Sequence, residues 1–447
     1  MIKSTVTCKL DDLCERVTKG STPTSYGFEY KQSGINFVKA ENIDSSGNIF
    51  RISEFIDEET NTFLNRSILK SNDLLFSIAG TIGRVGIVKT TDLPANTNQA
   101  LAIIRLISGF LNIRFLFYYL SAQAFRKHAL DKIVGVGRAN LSLTNLSDFR
   151  IELPSRQEQD CINDKIEELF SDLDNAIENL KKAQEQLKVY RQAVLKYAFE
   201  GKMTNNASDF KNIALGTVCQ RVQNVTKSNN LGEQFLYIDI GCIDNKINKI
   251  VCHKKYLWKN APSRAKQIIK SGDILFSTVR TYLKNIAIVP MQYDGQIGST
   301  GFCVIRPQKD ILDSKYIFRY VLWEKFINAI SAFQTGTSYP AVRDEDVFSQ
   351  IILLPNLSVQ KRIIEEIESR FSVCDKMEES IGENLQKAEA LRQSILKQAF
   401  EGNLTEGWRK EHKELISGEN SAEALIHKIK NEKEALKNKV KKGKNND

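Results

Sequence analysis

The sequence predicts an α+β protein: two globular blocks related by internal duplication and joined by two long antiparallel coiled-coil helices. Three observations carry that prediction. The segment RQAVLKYAFEGKMT at 191–204 returns as RQSILKQAFEGNLT at 392–405, identical at nine of fourteen positions. Upstream, SNDLLFS at 71–77 returns as SGDILFS at 271–277. After each of the dipeptides Leu153-Pro154 and Leu354-Pro355, apolar residues recur at alternating steps of four and three, the signature of a heptad seam. A period near 200 residues is a duplicated multi-element unit, because solenoid repeats are far shorter.

Each element follows from local pattern. In the first block (1–154), apolar runs bounded by turn residues at 74–78, 85–89 and 101–106 read as strands, with counterparts at 274–278, 286–290 and 302–306 in the second block (210–355). One aromatic-rich helix is expected over about 112–128 and again over about 314–330. The first spacer (155–209) opens on a capping box, Ser155 with Glu158, and the second (356–404) on Asn356. The seam comprises Ile162, Ile166, Leu169, Leu173, Leu180 and Leu187 in the first helix, and Ile363, Ile367, Met377, Ile381, Leu391 and Ile395 in the second. Gly201 and Gly402 stand where a helix closes in a left-handed residue. Connectivity makes the helices antiparallel if their seams pair, and about 43 helical residues give a rod of roughly 65 Å. A tail (405–447) with a lysine-rich end would emerge beside the first block.

Charge is unevenly spread. The chain has 63 basic and 54 acidic side chains, and residues 210–355 hold 19 basic against 11 acidic, whereas 155–209 hold 8 against 11. Basic blocks alternate with acidic spacers, which makes a polyanion the expected partner. The most apolar stretch, 103–125, is broken by Arg105 and Arg114, so no membrane span is expected and the cytoplasm is the expected compartment. Eight cysteines stand singly, without metal-ligand spacing. Enzyme signatures are absent: there is no Pro-Pro dipeptide for an amino-methyltransferase loop, and Gly80, Gly83 and Gly86 have no P-loop lysine after them. Asp294 with Asp313 and Lys315 loosely imitates a nuclease constellation, but so spaced a trio arises by chance in a charged chain. No catalytic residue, metal site or cofactor site is assigned.

The order of basic block, L-P-x4-Q helix and A-F-x-G end, then the same again, resembles the specificity subunit of type I restriction-modification enzymes over nearly the whole chain. The specific pieces are Pro154 to Gln159, Pro355 to Gln360, Ala198 to Gly201 and Ala399 to Gly402. The resemblance implies a non-catalytic scaffold whose blocks are target-recognition domains reading a split double-stranded DNA target. It would carry two methyltransferase subunits, onto which motor-nuclease subunits can add. S-adenosylmethionine, ATP and Mg would belong to those partners. Because the blocks have diverged, the half-sites should differ, about one DNA turn apart.

Base readers are expected on loops after strands. Arg280, Tyr282 and Lys284 follow ILFSTV, and Arg84 holds the related place in the first block; Arg138 and Arg343 accompany glycine-containing loops. Each is equally readable as a solvated surface charge. Two other classes stay open: a single-chain methyltransferase or nuclease, and an adaptor that binds only protein.

Overall fold

The computed structural model describes residues 5–132, 140–203, 210–225, 234–336 and 340–444. The chain forms two compact units, one of residues 1–178 with 384–447 and the other of residues 179–383. Each unit therefore takes one recognition block, the opening half of the helix that leaves it, and the closing half of the other helix.

In the first unit a four-stranded antiparallel sheet has the order Cys14–Lys19, Leu101–Leu106, Leu74–Ser77, Val85–Ile87. The second repeats it with Cys219–Gln220, Phe302–Pro307, Ile274–Ser277 and Ile286–Ile288. The duplication extends to register: Leu74, Leu75, Phe76 and Ser77 pair with Ile104, Ile103, Ala102 and Leu101, as Ile274, Leu275, Phe276 and Ser277 pair with Ile305, Val304, Cys303 and Phe302. These central strands are buried on both faces, which is why they read as continuous apolar runs without alternation. At the strand entrance the Asp of the S-x-D motif is a structural anchor. Asp73 is paired by Arg105 at 2.7 and 2.6 Å, and Asp273 by Arg306 at 2.8 and 2.6 Å. Both carboxylates are buried and bidentate, the geometry that offsets desolvation best.

The single aromatic helix expected in each block is two helices, Ile113–Ser121 with Gln123–Asp131, and Ser314–Val321 with Glu324–Ser331. Ala122 and Trp323 are extended at the breaks, and a long-helix glutamine caps each restart. The Gln123 N–H donates to Gln393 Oε1 at 2.9 Å, and the Glu324 N–H to Gln192 Oε1 at 2.9 Å. Those caps come from far along the chain, so local periodicity could not reveal them.

The long helices span Arg156–Phe199 and Leu357–Phe400, 44 residues each. In each unit the opening half of one meets the closing half of the other, so they run antiparallel. Ile162, Ile166, Phe170, Ile395 and Leu396 share the first core, and Leu195, Ile363, Ile367 and Phe371 the second. Arginine clamps repeat the arrangement. Arg392 lies 4.4 Å over Phe170 and pairs with Asp174, while Arg191 lies 5.1 Å over Phe371 and bonds Asp375 at 2.6 Å and Glu378 at 3.0 Å. The strict seam needs correction at three positions: Leu169, Met377 and Leu391 are 36, 51 and 50% exposed. Each helix packs on its recognition block as well as on the other helix. The buried stripe is consequently wider than two positions per heptad, and Phe170 and Phe371 take the contacts the seam would have given to their neighbours. Leu180 and Leu187 are half-buried.

The repeated motifs now have physical reasons. Buried Gln159 accepts the Asn112 N–H at 3.0 Å and donates to the Pro154 carbonyl at 3.0 Å. Gln360 accepts the Asp313 N–H at 2.8 Å and donates to the Ile311 and Pro355 carbonyls, both at 2.8 Å. Phe199 packs edge-on against Tyr316 and beside Tyr320 and Trp323; Phe400 packs against Phe115 and Tyr119. Gly201 and Gly402 close the helices at φ 74° and 83°, a region open to glycine at no steric cost.

The tail packs into the first unit alone. Leu425, Ile426 and Ile429 of helix Ala422–Lys444 join its core, and Lys433 pairs with Asp11 at 2.9 Å. Buried Glu158 accepts from Arg409 at 2.7 Å and from Thr405 at 3.0 Å, and its N–H meets Ser155 Oγ at 3.2 Å as the cap predicted.

Candidate nucleic-acid interface

Hydrogen bonds gather several loops at one end of each central sheet. In the first unit the loop leaving Ser77 receives the turn before Leu101, through Ile78 N–H to the Ala100 carbonyl at 2.8 Å. It also receives the segment after the glycine-containing loop, through Leu141 N–H to the Ile78 carbonyl at 2.9 Å. The second unit repeats both contacts: Thr278 N–H donates to Gly301 at 3.0 Å, and Val342 N–H to Thr278 at 3.0 Å. Loops that are far apart in sequence thus form one surface, and the tail helix meets the first sheet at its other end, beside Leu10–Leu13.

Arg280, Tyr282 and Lys284 lie together on the turn around Thr281–Leu283, with Tyr282 exposed. Arg280 N–H donates to the Pro340 carbonyl at 2.8 Å, which brings this turn against the loop that carries Arg343. Arg343 caps helix Asp344–Phe348 and pairs with Asp346 at 3.1 Å, but its side chain is largely exposed and such a pair holds weakly. Lys284 pairs with Glu324 at 3.5 Å. Arg138 lies outside the described residues.

Arg84 is not the counterpart of Arg280. The Ser77 N–H bonds the Arg84 carbonyl at 2.9 Å, and the Ser277 N–H bonds Asn285 at 3.2 Å, so Arg84 matches Asn285. Gly80 takes the place of Arg280, because the second loop is one residue longer. Conformation explains the exchange: Gly80 and Gly83 have φ of 71° and 89°, whereas the second loop places Arg280 and Lys284 at 50° and 52°. Left-handed backbone costs a non-glycine residue about 1 to 2 kcal/mol. The first domain makes its turn with glycine, while the second holds two long cations in the same region of φ. An observed outlier of this kind points toward function.

Arg84 is exposed and donates to the Ala40 carbonyl at 3.1 Å. It lines a groove of about 1530 Å³ in the first unit between the 81–89 hairpin and the helix pair. Arg126, which sequence reasoning missed, lies across Gly83: a Cβ there would stand 2.8 Å from Arg126 Cγ, so any other residue would have to displace that arginine as well as adopt a left-handed φ. The helix wall holds Arg114 paired with Glu167 and Arg392 paired with Asp174, so those cations are neutralised.

Among the described residues no group of His, Cys, Asp and Glu is arranged to hold a metal ion. Burial pushes the Cys8, Cys219 and Cys242 thiols up to about 12, and raises Cys14 and Cys303 as well, the opposite of an activated nucleophile. The nuclease-like trio is engaged locally. Asp313 caps helix Ser314–Val321, Lys315 meets Glu368 at 3.3 Å, and Asp294 accepts the Ser271 N–H at 2.8 Å. No helix among the described residues is long and apolar enough to cross a membrane.

The family model described as type I restriction modification DNA specificity domain matches twice, over residues 3–189 and 207–387. The chain belongs to that family. Three relatives are type I restriction enzyme specificity subunits from Escherichia coli. EcoKI, from strain K12, is 28% identical over 74% of this chain and 73% of its own; EcoBI is 26% identical over 92 and 90%; EcoDI is 27% identical over 65 and 70%. Among solved structures, a chain from work on complex assembly and conformational transition of the type I R-M system superposes with a TM-score of 0.66. The HsdS subunit from Thermoanaerobacter tengcongensis superposes at 0.53. Each is 18% identical and covers 90% of this chain and 98% of its own, which fixes the fold. As a type I specificity subunit the chain is a DNA-recognition component and not an enzyme.

Proposed function

We propose that this specificity subunit reads a bipartite, asymmetric DNA target, one half with each loop cluster. The observation that carries the reading is the duplicated cluster itself: the same strand ends and the same bridging hydrogen bonds present unlike residues, Gly80 and Arg84 in one unit and Arg280, Tyr282 and Lys284 in the other. A shared frame with different side chains is what two unlike half-sites require. Arg84, Arg138, Arg280, Tyr282, Lys284 and Arg343 are the proposed DNA contacts. The subunit would position two methyltransferase subunits and accept motor-nuclease subunits, which bring S-adenosylmethionine, ATP and Mg. It would hold no cofactor of its own.

The test is an exchange of residues 1–154 for the equivalent domain of another specificity subunit, followed by mapping of methylated adenines. One half of the target should change while the other half persists. Simultaneous change of both halves would refute the split reading. Incubating the purified chain alone with DNA, Mg²⁺ and S-adenosylmethionine separates it from a single-chain enzyme: neither cleavage nor methyl transfer is expected. An adaptor that binds only protein would retain no DNA even in the assembled complex.

A further inference from the structure

The turn that carries Arg280 and Lys284 is held from outside by amide side chains whose role no sequence pattern announced. Asn248 Nδ2 donates to the Lys284 carbonyl at 2.9 Å and to the Ile286 carbonyl at 3.1 Å, and Asn245 Nδ2 donates to the Leu283 carbonyl at 2.8 Å. Both asparagines lie on the hairpin that pairs Ile243–Asp244 with Lys249–Ile250. From the other side, Gln334 Nε2 donates to Thr281 Oγ1 at 2.7 Å, and Thr281 Oγ1 and Ser331 Oγ are 2.8 Å apart. The strained backbone at residues 280 and 284 is therefore over-determined, the condition under which such conformations persist.

The first unit supplies an internal comparison. Register matches Asn248 with Gly47, because Ile43 pairs with Ile49 where Ile243 pairs with Ile250, and both residues are left-handed, at φ 79° for Gly47 and 52° for Asn248. Asn48, which matches Lys249, turns its Nδ2 to Asp44 at 3.2 Å and accepts from Lys89 at 2.7 Å. The glycine-closed loop thus has a glycine, with no amide to offer, where the second unit has Asn248. The second unit places an amide there, and it holds the carbonyls of a loop whose left-handed residues are Arg and Lys.

We propose that Asn248 is a positioning residue for DNA specificity: it pins the Arg280–Lys284 turn in one conformation and so sharpens base preference in the second half-site. This rests on the reading that the turn meets DNA. Asn248 itself has φ 52°, so its amide and its backbone preference must be separated. Asn248→Gly keeps the left-handed freedom and removes the amide. Asn248→Asp keeps the shape and replaces the two N–H donors with acceptors.

The assay uses the full chain assembled with its methyltransferase partners. It measures binding to the cognate duplex and to every single-base variant of both half-sites, with thermal melting to verify folding. Both substitutions should reduce discrimination at one or two positions of the second half-site by roughly three- to tenfold, the scale of one or two lost hydrogen bonds. First half-site discrimination should stay unchanged, and Asn48→Gly should leave the second half-site untouched. If Arg280→Ala relaxes the second half-site while folded Asn248→Gly and Asn248→Asp do not, the positioning role is wrong and the DNA-contact reading survives. If Arg280→Ala, Tyr282→Ala and Lys284→Ala all leave second half-site binding unchanged, the contact reading falls and the positioning role with it.

Discussion

Gln360 offers a direct test of why the L-P-x4-Q motif exists. Its amide is buried and makes three bonds, accepting from Asp313 N–H and donating to the Ile311 and Pro355 carbonyls. Gln360→Ala strands the half-buried Asp313 N–H, a loss of about 1 to 3 kcal/mol, and leaves two carbonyls short of a donor, about 1 kcal/mol more. A total of roughly 2 to 4 kcal/mol is expected in the second unit. Gln159→Ala should cost somewhat less in the first, because Gln159 bonds one carbonyl, Pro154, where Gln360 bonds two. The substitution Gln360→Glu is sharper. A neutral carboxyl could still donate to one carbonyl and accept from Asp313, but a carboxylate faces two carbonyl oxygens with nothing to donate. Its folded pKa must therefore lie above the unfolded value of about 4.3. A group with a raised folded pKa keeps its stability below the unfolded value and loses it as pH rises through the folded value. Denaturant unfolding of wild type and variant at pH 4 and pH 7 reads the difference. The gap between them should widen with pH, and a Gln360→Glu protein as stable as wild type at pH 7 would refute the clamp.

Other consequences follow from the same contacts. Phe199→Ala should destabilise the second unit by about 3 to 5 kcal/mol, since the ring is fully buried among Tyr316, Tyr320 and Trp323; hydrogen exchange in 314–331 reports it. Arg409→Met leaves Glu158 buried without its cation, a loss of about 3 to 5 kcal/mol, and should make 405–444 protease-sensitive. Asp57 caps helix Glu58–Phe63 by accepting the Thr60 N–H at 2.9 Å, and its interaction with Thr60 lowers its pKa. The helix should thus keep its protection above the ordinary aspartate pKa and lose it as pH falls through the lowered value, as exchange at residues 60–63 would register.

Local chemistry made much of this architecture legible. The strands at 74 and 274 were readable because burial on both faces leaves a continuous apolar run between turn residues. The duplication was readable because each residue of the R-Q-x-x-L-K-x-A-F-E-G repeat that makes a clamp contact does so in both units: Arg191 and Arg392, Gln192 and Gln393, Phe199 and Phe400. What escaped notice lies in long-range partnership. Nothing near Ala122 or Trp323 announces that a glutamine from a distant helix will cap a break there. Leu169 and Leu391 satisfy a heptad count, yet packing against a third element decided their exposure. The matching of Arg84 with Arg280 failed through a one-residue difference in loop length, which only strand register resolves. The scaffold of Asn245 and Asn248 escaped for a further reason: the need for it arises from two positive φ angles, and arginine and lysine do not advertise them as glycine does.

The clamps also bear on how recognition can diverge while the frame stays fixed. Several contacts from the long helices to the recognition blocks end on main-chain groups. Gln159 and Gln360 reach the N–H groups of Asn112 and Asp313, and Gln393 and Gln192 reach those of Gln123 and Glu324. A peptide N–H is present whatever the side chain, so these sockets accept a block of different sequence provided its two short helices break at the same place. Side-chain demands remain as well, among them the aromatic rings that receive Phe199 and Phe400 and the ion pairs of Arg114 with Glu167 and Lys315 with Glu368. They stand on the paired helices, apart from the loops at the sheet end. If the loops around Arg84 and Arg280 read DNA as proposed, a change of target can therefore be confined to them without disturbing the contacts that seat the domain. It follows that an exchanged first domain should fold on the resident helices only if it brings an aromatic pair equivalent to Phe115 and Tyr119. The tail adds one restriction peculiar to this unit, because Leu425, Ile426 and Ile429 complete the core beside Leu10 and Leu13. A donor domain lacking an apolar face there would leave the tail helix without its seat, whereas the second block carries no such requirement from this tail.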